Sequence, residues 1–190
     1  WAIMFIVLNA ERLENELEST QRQFQKMATT DFLTGIANSR LFRESGEHEI
    51  QRTRRYNGTL AVLMIDLDYF KKVNDAYGHA VGDKVLVAFT DICKKNLRDF
   101  DIFGRLGGEE FAILLPQTET NNARILAERL CSIVARTDIE AEDKILRITV
   151  SIGVSVLLSE EDSLDKMLRR ADDAMYEAKR NGRNQVAVAL

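Results

Sequence analysis

An uninterrupted run of apolar residues from Leu60 to Ile65 places the strongest constraint on how this chain folds. A strand with one face in water alternates apolar and polar residues, whereas an unbroken run is typical of a strand that is covered on both faces. Such a strand needs a layer of structure on each side of its sheet. The run ends at Asp66-Leu67-Asp68, so carboxylates follow directly on the buried strand.

Helical and strand patterns alternate along the rest of the chain. The predicted helices cover residues 39–55, a segment capped by Asp83, 121–135 and a segment from Ser163 to Asn181-Gly182, with a helical turn after Phe70. The predicted strands cover residues 60–65, 102–106, 111–115, 145–157 and 185–189. We therefore expect an α/β fold in which helices wrap a mixed central β-sheet.

Before this region, apolar residues recur at alternating intervals of three and four from Ile3 to Met27. This heptad spacing is typical of a two-stranded coiled coil, and a single amphipathic helix packed on its own domain is the alternative. The apolar segment at residues 1–8 is shorter than the roughly 20 residues that span a bilayer. We expect residues 1–28 to form a parallel coiled coil that continues from an absent sensor or membrane region, and residues 29–190 to form the α/β domain.

Charge and cysteine content limit the partners and the location. The chain has 30 acidic and 26 basic residues and a net charge of -4, so we expect no general binding to nucleic acid. Cys93 and Cys131 lie inside apolar helical patterns, which predicts buried thiols rather than a zinc site. Free buried thiols are typical of a reducing compartment, and we expect a cytoplasmic location.

The stretch Gly107-Gly108-Glu109-Glu110 lies between two predicted strands and predicts a tight hairpin turn. If the strand that ends at Asp66 is its neighbour, Asp66, Glu109 and Glu110 converge. Oxygen ligands without histidine or thiolate suit Mg²⁺ or Mn²⁺, and Mg²⁺ in such sites also holds substrate phosphates. The alternative is a plain turn with a solvated pair of glutamates.

Other polar side chains fit a nucleotide. Lys71 lies in the predicted helical turn, and Lys179 and Arg183 close the last helix, where each can meet a phosphate or simply the helix dipole. Asn74 and Asp83 suit guanine, because a carboxylate accepts from N1–H and N2–H₂ of guanine but repels N1 of adenine. The alternative role for Asp83 is a helix N-cap.

Motifs in a fixed order resemble those of the GGDEF domain of bacterial diguanylate cyclases. They are DFLTGIAN at 31–38, DLDYFKKVND at 66–75, GHAVGD at 78–83, GGEEF at 107–111 and ADDAMYEAKRNGRN at 171–184. The resemblance covers residues 31–188 and implies a mixed sheet wrapped by helices, related to the palm of polymerases and to nucleotide cyclases. It also implies an enzyme that condenses two GTP into cyclic di-GMP (c-di-GMP) and releases two pyrophosphates.

The resemblance assigns roles to individual positions. It implies that the metal is held by Asp66, the Leu67 carbonyl and Glu109, with Glu110 aiding deprotonation of the 3′-OH or a second metal. It implies guanine contacts from Asn74, Asp83, Leu33 and Leu86. It implies phosphate contacts from Phe70, Lys71, Lys179 and Arg183. Glu109 is a common variant of the signature, and Ser39 stands where the family often has arginine.

The segment Arg98-Asp99-Phe100-Asp101 matches the R-x-x-D pattern of the family's inhibitory product site, at the family's usual distance before the signature. Arg129 lies where a second inhibitory arginine is often found. The resemblance therefore implies that Arg98, Asp101 and Arg129 bind c-di-GMP and that the product inhibits the enzyme. The alternative is a surface loop with an incidental ion pair.

An active cyclase must bring two nucleotides together, because each 3′-OH attacks the α-phosphate of the other nucleotide. One domain has one predicted set of phosphate and guanine ligands, so we expect a face-to-face homodimer joined by the N-terminal coil. GTP is the expected substrate, and c-di-GMP the expected product and inhibitor. A non-enzymatic c-di-GMP receptor and a coiled-coil scaffold are the alternatives, although such receptors usually have a broken signature.

Overall fold

The computed structural model describes residues 29–141 and 143–189, and the expected coiled coil at residues 1–28 lies outside them. Helices α1 to α5 span Ser39–Arg55, Phe70–Tyr77, His79–Lys94, Thr120–Arg136 and Leu164–Arg180. Strands β1 to β8 span Ala37–Asn38, Leu60–Leu67, Ile102–Gly107, Glu110–Pro116, Ile139–Ala141, Lys144–Leu146, Val150–Val156 and Val186–Val188. Within these residues, no helix combines the length and the apolar character needed to cross a bilayer.

The main sheet has six strands in the order β1-β3-β4-β2-β7-β8, and β5 and β6 form a separate two-stranded ribbon. The central strand β2 is antiparallel to both β4 and β7, whereas the outer pairs β1–β3 and β7–β8 are parallel. The expected α/β fold with a mixed central sheet is therefore confirmed.

Strand β2 lies between two helical layers, and each of its faces belongs to a different apolar core. Leu63 and Ile65 pack in a cluster with residues of α3 and α4. Val62 and Met64 point to the opposite face and pack with residues of α1 and α5. All residues of β2 are buried, which explains why its sequence is an unbroken apolar run.

Gly153 of β7 allows α5 to lie directly on the sheet. A Cβ at Gly153 would lie 1.8 Å from the Ala171 carbonyl oxygen and 2.5 Å from the Met175 nitrogen, closer than real side chains approach. Because both atoms belong to the backbone of α5, the contact fixes the helix relative to the sheet. It thereby fixes the position of Lys179 near the C-terminal end of α5.

The prediction of a single strand at residues 145–157 is wrong. Residues 144–146 pair with β5 in the ribbon, and residues 150–156 form β7 of the main sheet. The chain leaves strand geometry between them, where Thr149 binds Asp68 instead of a neighbouring strand. The Asp68 N–H donates to the Thr149 carbonyl at 2.8 Å, and the Thr149 hydroxyl donates to the Asp68 carboxylate at 2.7 Å.

The prediction that Asp83 caps a helix is also wrong. Helix α3 begins at His79, and its N-cap is Gly78, which is also the C-cap of α2. Gly78 has a φ of 83°, a conformation that glycine adopts readily and that turns the chain directly from one helix into the next. Asp83 therefore lies inside α3 with its side chain exposed, which leaves its carboxylate without a capping role.

Candidate active site at the end of the central strands

The hairpin between β3 and β4 brings the signature residues beside the end of β2. Asp66 lies opposite Glu110 in the antiparallel register of β2 and β4. The Leu67 N–H donates to the Glu109 carbonyl at 3.4 Å. The two strands are therefore neighbours, which was the condition for the carboxylates to converge.

The turn of this hairpin is displaced from the predicted Gly-Gly tip. Gly107 is the last residue of β3 and lies opposite Glu110, because the register shifts between Arg105 and Gly107. The turn residues are Gly108, with a φ of 38°, and Glu109. Glu109 is thus held at the tip itself, beside the end of β2.

The carboxylates of Asp66 and Glu109 lie at the end of β2 and together form an acidic corner. Burial raises the pKa of Asp66, and the charges of Asp68 and Asp172 act in the same direction against the opposing effect of Lys179. Burial also raises the pKa of Glu109, and the charge of Asp66 adds to the shift. Both carboxylates are therefore in a place where ionisation is unfavourable unless a cation is close.

Lys179 supplies one such cation. Its Nζ lies 2.7 Å from Asp66 Oδ2, and both side chains are largely buried. The sequence suggested a phosphate contact or an interaction with the helix dipole, whereas the side chain reaches across from α5 to the end of β2. One ammonium group faces two carboxylates, so the acidic corner retains an uncompensated negative charge.

The described residues show which oxygen donors fit a divalent cation. Within residues 29–141 and 143–189, no three side chains of His, Cys, Asp or Glu come together as a metal site. Glu110 is exposed at the start of β4, opposite Asp66 in the register of the two strands. Two carboxylates with the adjacent Leu67 carbonyl form an all-oxygen set that leaves positions for phosphate and water, as Mg²⁺ requires.

Asp68 organises the chain next to the acidic corner, a role that the sequence did not reveal. Its buried carboxylate accepts from the hydroxyls of Thr149 and Ser151, both at 2.7 Å, and from the Asn184 N–H at 3.0 Å. Asn184 and the preceding Arg183 both have positive φ, at 48° and 64°. Asp68 thus fixes a left-handed turn that follows α5.

Asn74 and Asp83 lie at the junction of α2 and α3. The Oδ1 atom of Asn74 is buried and has no hydrogen-bond partner among the described residues. A Cβ at Gly82 would lie 1.9 Å from that oxygen and 3.2 Å from the Phe70 ring, so only glycine leaves room for the amide. Asp83 follows Gly82, and α2 and α3 thereby bring Asn74 and Asp83 to the same corner.

The two apolar residues expected around the base belong to the same large apolar cluster, Leu86 as a buried member and Leu33 half-buried against it. Phe70, expected at the phosphates, is also buried in this cluster. Lys71 is exposed near the N-terminus of α2, which has no side-chain cap. The Arg183 guanidinium lies 3.3 Å from the Tyr69 hydroxyl, immediately before α2.

An ion pair that spans 74 positions along the chain joins the hairpin to residues 31–34, and sequence reasoning missed it. Arg105 donates to Asp31 at 3.1 Å and to the Gly108 carbonyl at 2.6 Å and 3.0 Å. Although burial opposes ionisation, bonds from Thr34 and Arg105 hold the pKa of Asp31 below its usual range. No local sequence pattern indicated this link.

A separate pocket of about 260 Å³ brings together the residues of the predicted inhibitory site, Arg98, Asp101 and Arg129. The Arg98 N–H donates to Asp101 Oδ2 at 2.8 Å, and Asp101 Oδ1 is buried without a hydrogen-bond partner in the part of the chain that the structure describes. Burial raises the pKa of Asp101, against the opposing N–H bond and charge of Arg98. Arg129 donates to the Asn96 carbonyl at 3.0 Å, across the pocket from the R-x-x-D turn.

Comparison with known proteins gives consistent matches. The chain is 37% identical over 188 residues to the diguanylate cyclase DgcP of Pseudomonas aeruginosa, covering 99% of this chain and 28% of DgcP. Its fold matches the coiled coil and GGDEF domain of DgcB from Caulobacter crescentus in complex with c-di-GMP, with a TM-score of 0.91, 26% identity and 100% of both chains covered. It also matches the active GGEEF domain of a diguanylate cyclase from Vibrio cholerae, with a TM-score of 0.75, 33% identity and 80% and 97% of the two chains covered.

The chain spans less than half the length of the first curated relatives that it matches. The family model described as "Diguanylate cyclase, GGDEF domain" matches residues 28–185. That match includes the hairpin, the acidic corner and the pocket of Arg98, Asp101 and Arg129. The chain therefore belongs to the GGDEF family of diguanylate cyclases.

Proposed function

We propose that this domain is an active diguanylate cyclase, which condenses two GTP into c-di-GMP and releases two pyrophosphates. The observation that carries the proposal is the acidic corner, where Asp66 and Glu109 face the single ammonium group of Lys179. The relatives support the same reaction, and one of them is an active enzyme with the GGEEF signature found here at residues 107–111.

We propose that Asp66, the Leu67 carbonyl and Glu109 hold Mg²⁺, or Mn²⁺ in its place. When bound, the metal offsets the negative charge of the triphosphate around the attacked α-phosphate. The raised pKa values of the two carboxylates support this assignment, because burial disfavours their charged forms and a cation beside them would favour those forms. Glu110, exposed and opposite Asp66, is the candidate group to accept the proton of the 3′-OH.

The triphosphate is proposed to lie along the start of α2 and the end of α5. The uncapped N-terminus of α2 presents the main-chain N–H groups of Phe70 and Lys71, which suit phosphate oxygens. Lys71 adds an exposed ammonium, and Arg183 adds a guanidinium from the turn after α5. Lys179, whose ammonium group pairs with Asp66, can bind either that carboxylate or a phosphate.

Asn74 and Asp83 are proposed to select guanine. The buried Asn74 Oδ1 lacks a donor, and guanine supplies donors at N1 and N2. Asp83 has no capping role to compete with base recognition, since α3 begins four residues earlier at His79. Leu33 and Leu86 provide the apolar surface for the base.

Product binding is proposed at Arg98, Asp101 and Arg129. A guanidinium pairs bidentately with a phosphate or with the Hoogsteen edge of guanine, and the unpartnered Asp101 Oδ1 can accept a base N–H. The pocket supports feedback inhibition by c-di-GMP. It also supports the second candidate function, a c-di-GMP receptor that does not turn over GTP.

The symmetric product requires two domains with opposed sites, so we propose a homodimer that the segment at residues 1–28 joins as a parallel coiled coil. The matched structure of the DgcB coiled coil and GGDEF domain supports this arrangement. An upstream sensor would then act by changing the relative position of the two domains. Specific activity measured against protein concentration, together with the oligomeric state, tests the dimer: activity per molecule should fall as dimers dissociate.

Incubation of the chain with GTP and Mg²⁺, followed by chromatographic separation of the products, tests the catalytic proposal. We expect c-di-GMP and pyrophosphate in a ratio of one to two, at an initial rate that c-di-GMP lowers. If c-di-GMP binds and no GTP is consumed by the dimeric chain, the receptor function replaces the cyclase. ATP under the same conditions serves as the control substrate.

A further inference from the structure

Tyr69 combines an unusual backbone conformation with an unusual set of neighbours. It immediately precedes α2 with φ 58° and ψ 24°, a left-handed conformation that is uncommon for a residue other than glycine. Its side chain is 51% exposed, so burial of the ring does not explain why the conformation is kept. The neighbours of the ring are charged.

Two cations meet the Tyr69 ring. The Lys72 Nζ lies 4.2 Å from the ring centroid, and the Arg183 Cζ lies 4.5 Å from it. Arg183 also donates to the Tyr69 hydroxyl at 3.3 Å. The aromatic ring thus gathers side chains from two separate elements, the first turn of α2 and the turn after α5, although their like charges repel.

Neither cation has an anionic partner in the described part of the chain. Lys72 and Arg183 form no ion pair with any carboxylate of residues 29–141 and 143–189, whereas several other arginines there do. The first N–H groups of α2, an eight-residue helix without a side-chain cap, open at the same place. Two unpaired cations beside free N–H groups are the donor set that a phosphate chain fits.

Lys72, Arg183 and the first N–H groups of α2 together form a cationic face. Its position relative to the acidic corner follows from the backbone. Asp68, which directly precedes Tyr69, binds the Asn184 N–H, and Asn184 directly follows Arg183. The left-handed turn at residues 183–184 is therefore hydrogen-bonded to Asp68, the residue before the left-handed Tyr69. This link lies two residues after Asp66 along the chain. A nucleotide whose α-phosphate lies at the acidic corner has its β- and γ-phosphates within reach of this face.

We propose that Tyr69 is a positioning residue that holds Lys72 and Arg183 in place to bind the terminal phosphates of the nucleotide, and that Lys72 is a further phosphate ligand of this chain. The inference rests on the proposed function, since it takes GTP as the substrate. The competing explanation is that the ring only stabilises the local fold. If Tyr69 positions the cations, loss of the ring weakens phosphate binding alone. If the ring only stabilises the local fold, its loss weakens the binding of phosphate and base alike.

The test compares Tyr69→Asn, Tyr69→Phe and Tyr69→Trp with the parent in initial-rate assays with GTP and Mg²⁺. Asparagine tolerates the left-handed conformation and removes the ring, so it isolates the aromatic contact from backbone strain. We expect the KM for GTP to rise roughly 5- to 30-fold in Tyr69→Asn, the loss expected for two exposed cation–π contacts, with kcat within about threefold. Tyr69→Phe, which loses the hydroxyl bond, should show about a two- to threefold rise, and Tyr69→Trp should resemble the parent.

Binding measurements without turnover separate positioning from folding. Titration with inorganic pyrophosphate should show weaker binding in Tyr69→Asn by a factor similar to that in KM, while titration with guanosine should be unchanged. Tyr56→Asn, which removes an exposed tyrosine near the opposite end of β2, is the matched control and should behave as the parent. Parent-like KM and pyrophosphate binding in Tyr69→Asn, or equal losses for pyrophosphate and guanosine, would overturn the inference. Failure of the parent to make c-di-GMP would instead overturn the proposed function.

Discussion

Replacement of Gly153 by alanine tests how closely α5 must lie on the sheet. The added Cβ would lie 1.8 Å from the Ala171 carbonyl oxygen and 2.5 Å from the Met175 nitrogen, and real contacts of this kind stay above 3.0 Å. To move from 1.8 Å to 3.0 Å, α5 must shift by more than 1 Å. No side-chain rotation relieves the clash, because both atoms belong to the helix backbone.

The expected cost follows from that geometry. Overpacking a core typically destabilises a protein by about 1–3 kcal/mol, and a clash with backbone belongs at the upper end or beyond it. The lower backbone entropy of the unfolded alanine variant offsets about 0.4–1 kcal/mol. We therefore expect Gly153→Ala to lower the free energy of unfolding by about 2–4 kcal/mol. In urea this corresponds to a fall of about 1–2 M in the unfolding midpoint.

The same shift should reduce catalysis. Lys179 lies two turns beyond Ala171 on α5, and its Nζ is only 2.7 Å from Asp66. A displacement of α5 by more than 1 Å lengthens that contact and disturbs the acidic corner. We expect the turnover rate of Gly153→Ala to fall by about an order of magnitude even at temperatures where the variant is fully folded, measured by c-di-GMP formation.

Gly58→Ala is the matched control, since the nearest heavy atom to its added Cβ would be the Thr53 carbonyl oxygen at 3.9 Å. Its backbone is not left-handed, so we expect a change of less than about 0.5 kcal/mol or a slight stabilisation. The reasoning fails if Gly153→Ala unfolds at the same urea concentration as Gly58→Ala and retains full turnover.

The remaining predictions concern the ligands. Glu109→Gln keeps the side-chain volume and removes a metal-binding charge, so turnover should fall by about 100-fold or more with unchanged thermal stability; near-normal activity at saturating Mg²⁺ would exclude Glu109 from the metal site. Asp83→Ser should reduce the preference for GTP over ATP by at least tenfold in kcat/KM, because a hydroxyl both donates and accepts, and an unchanged preference would remove Asp83 from base recognition. Arg98→Ala should raise the c-di-GMP concentration for half-inhibition about tenfold or more without changing the uninhibited rate, and equal sensitivity would leave the pocket without a regulatory role. Because the pKa values of Asp66 and Glu109 are raised above the ordinary 3.8 and 4.5, protons should compete with Mg²⁺ at a higher pH than for free carboxylates. The Mg²⁺ concentration for half-maximal rate should therefore increase as the pH falls on the acid side, and a constant Mg²⁺ requirement there would contradict the assignment.

Local sequence patterns predicted most of the fold because the forces behind them are local. The spacing of apolar residues located α1 at Ser39–Arg55, and the unbroken apolar run located β2 between two helical layers. Pairing of β2 with the hairpin was also expected, because carboxylates at both strand ends suggested a common site. Each of these inferences needed only the period of the pattern or the chemistry of adjacent residues.

The errors arose from contacts between distant parts of the chain and, at α3, from one local backbone conformation. The break before β7 depends on Thr149, which binds Asp68 across 81 positions. The link between Asp31 and Arg105 spans 74 positions and has no signal in either local sequence. The start of α3 at His79 depends on the positive φ of Gly78, which made Asp83 an interior helical residue instead of a cap.

The acidic corner shows how such a long-range contact gives a carboxylate pair its function. Asp66 is buried and Glu109 is half-buried, and for both carboxylates burial and the neighbouring negative charge raise the pKa. Lys179 limits this rise by pairing with Asp66 at 2.7 Å, yet a single ammonium leaves one negative charge unbalanced. A second lysine at this place would neutralise the pair and remove the electrostatic advantage of binding a divalent cation. The corner thus keeps a negative charge that a divalent cation can balance. Because Lys179 can pair with either a carboxylate or a phosphate, the same side chains can accommodate the site with and without a nucleotide.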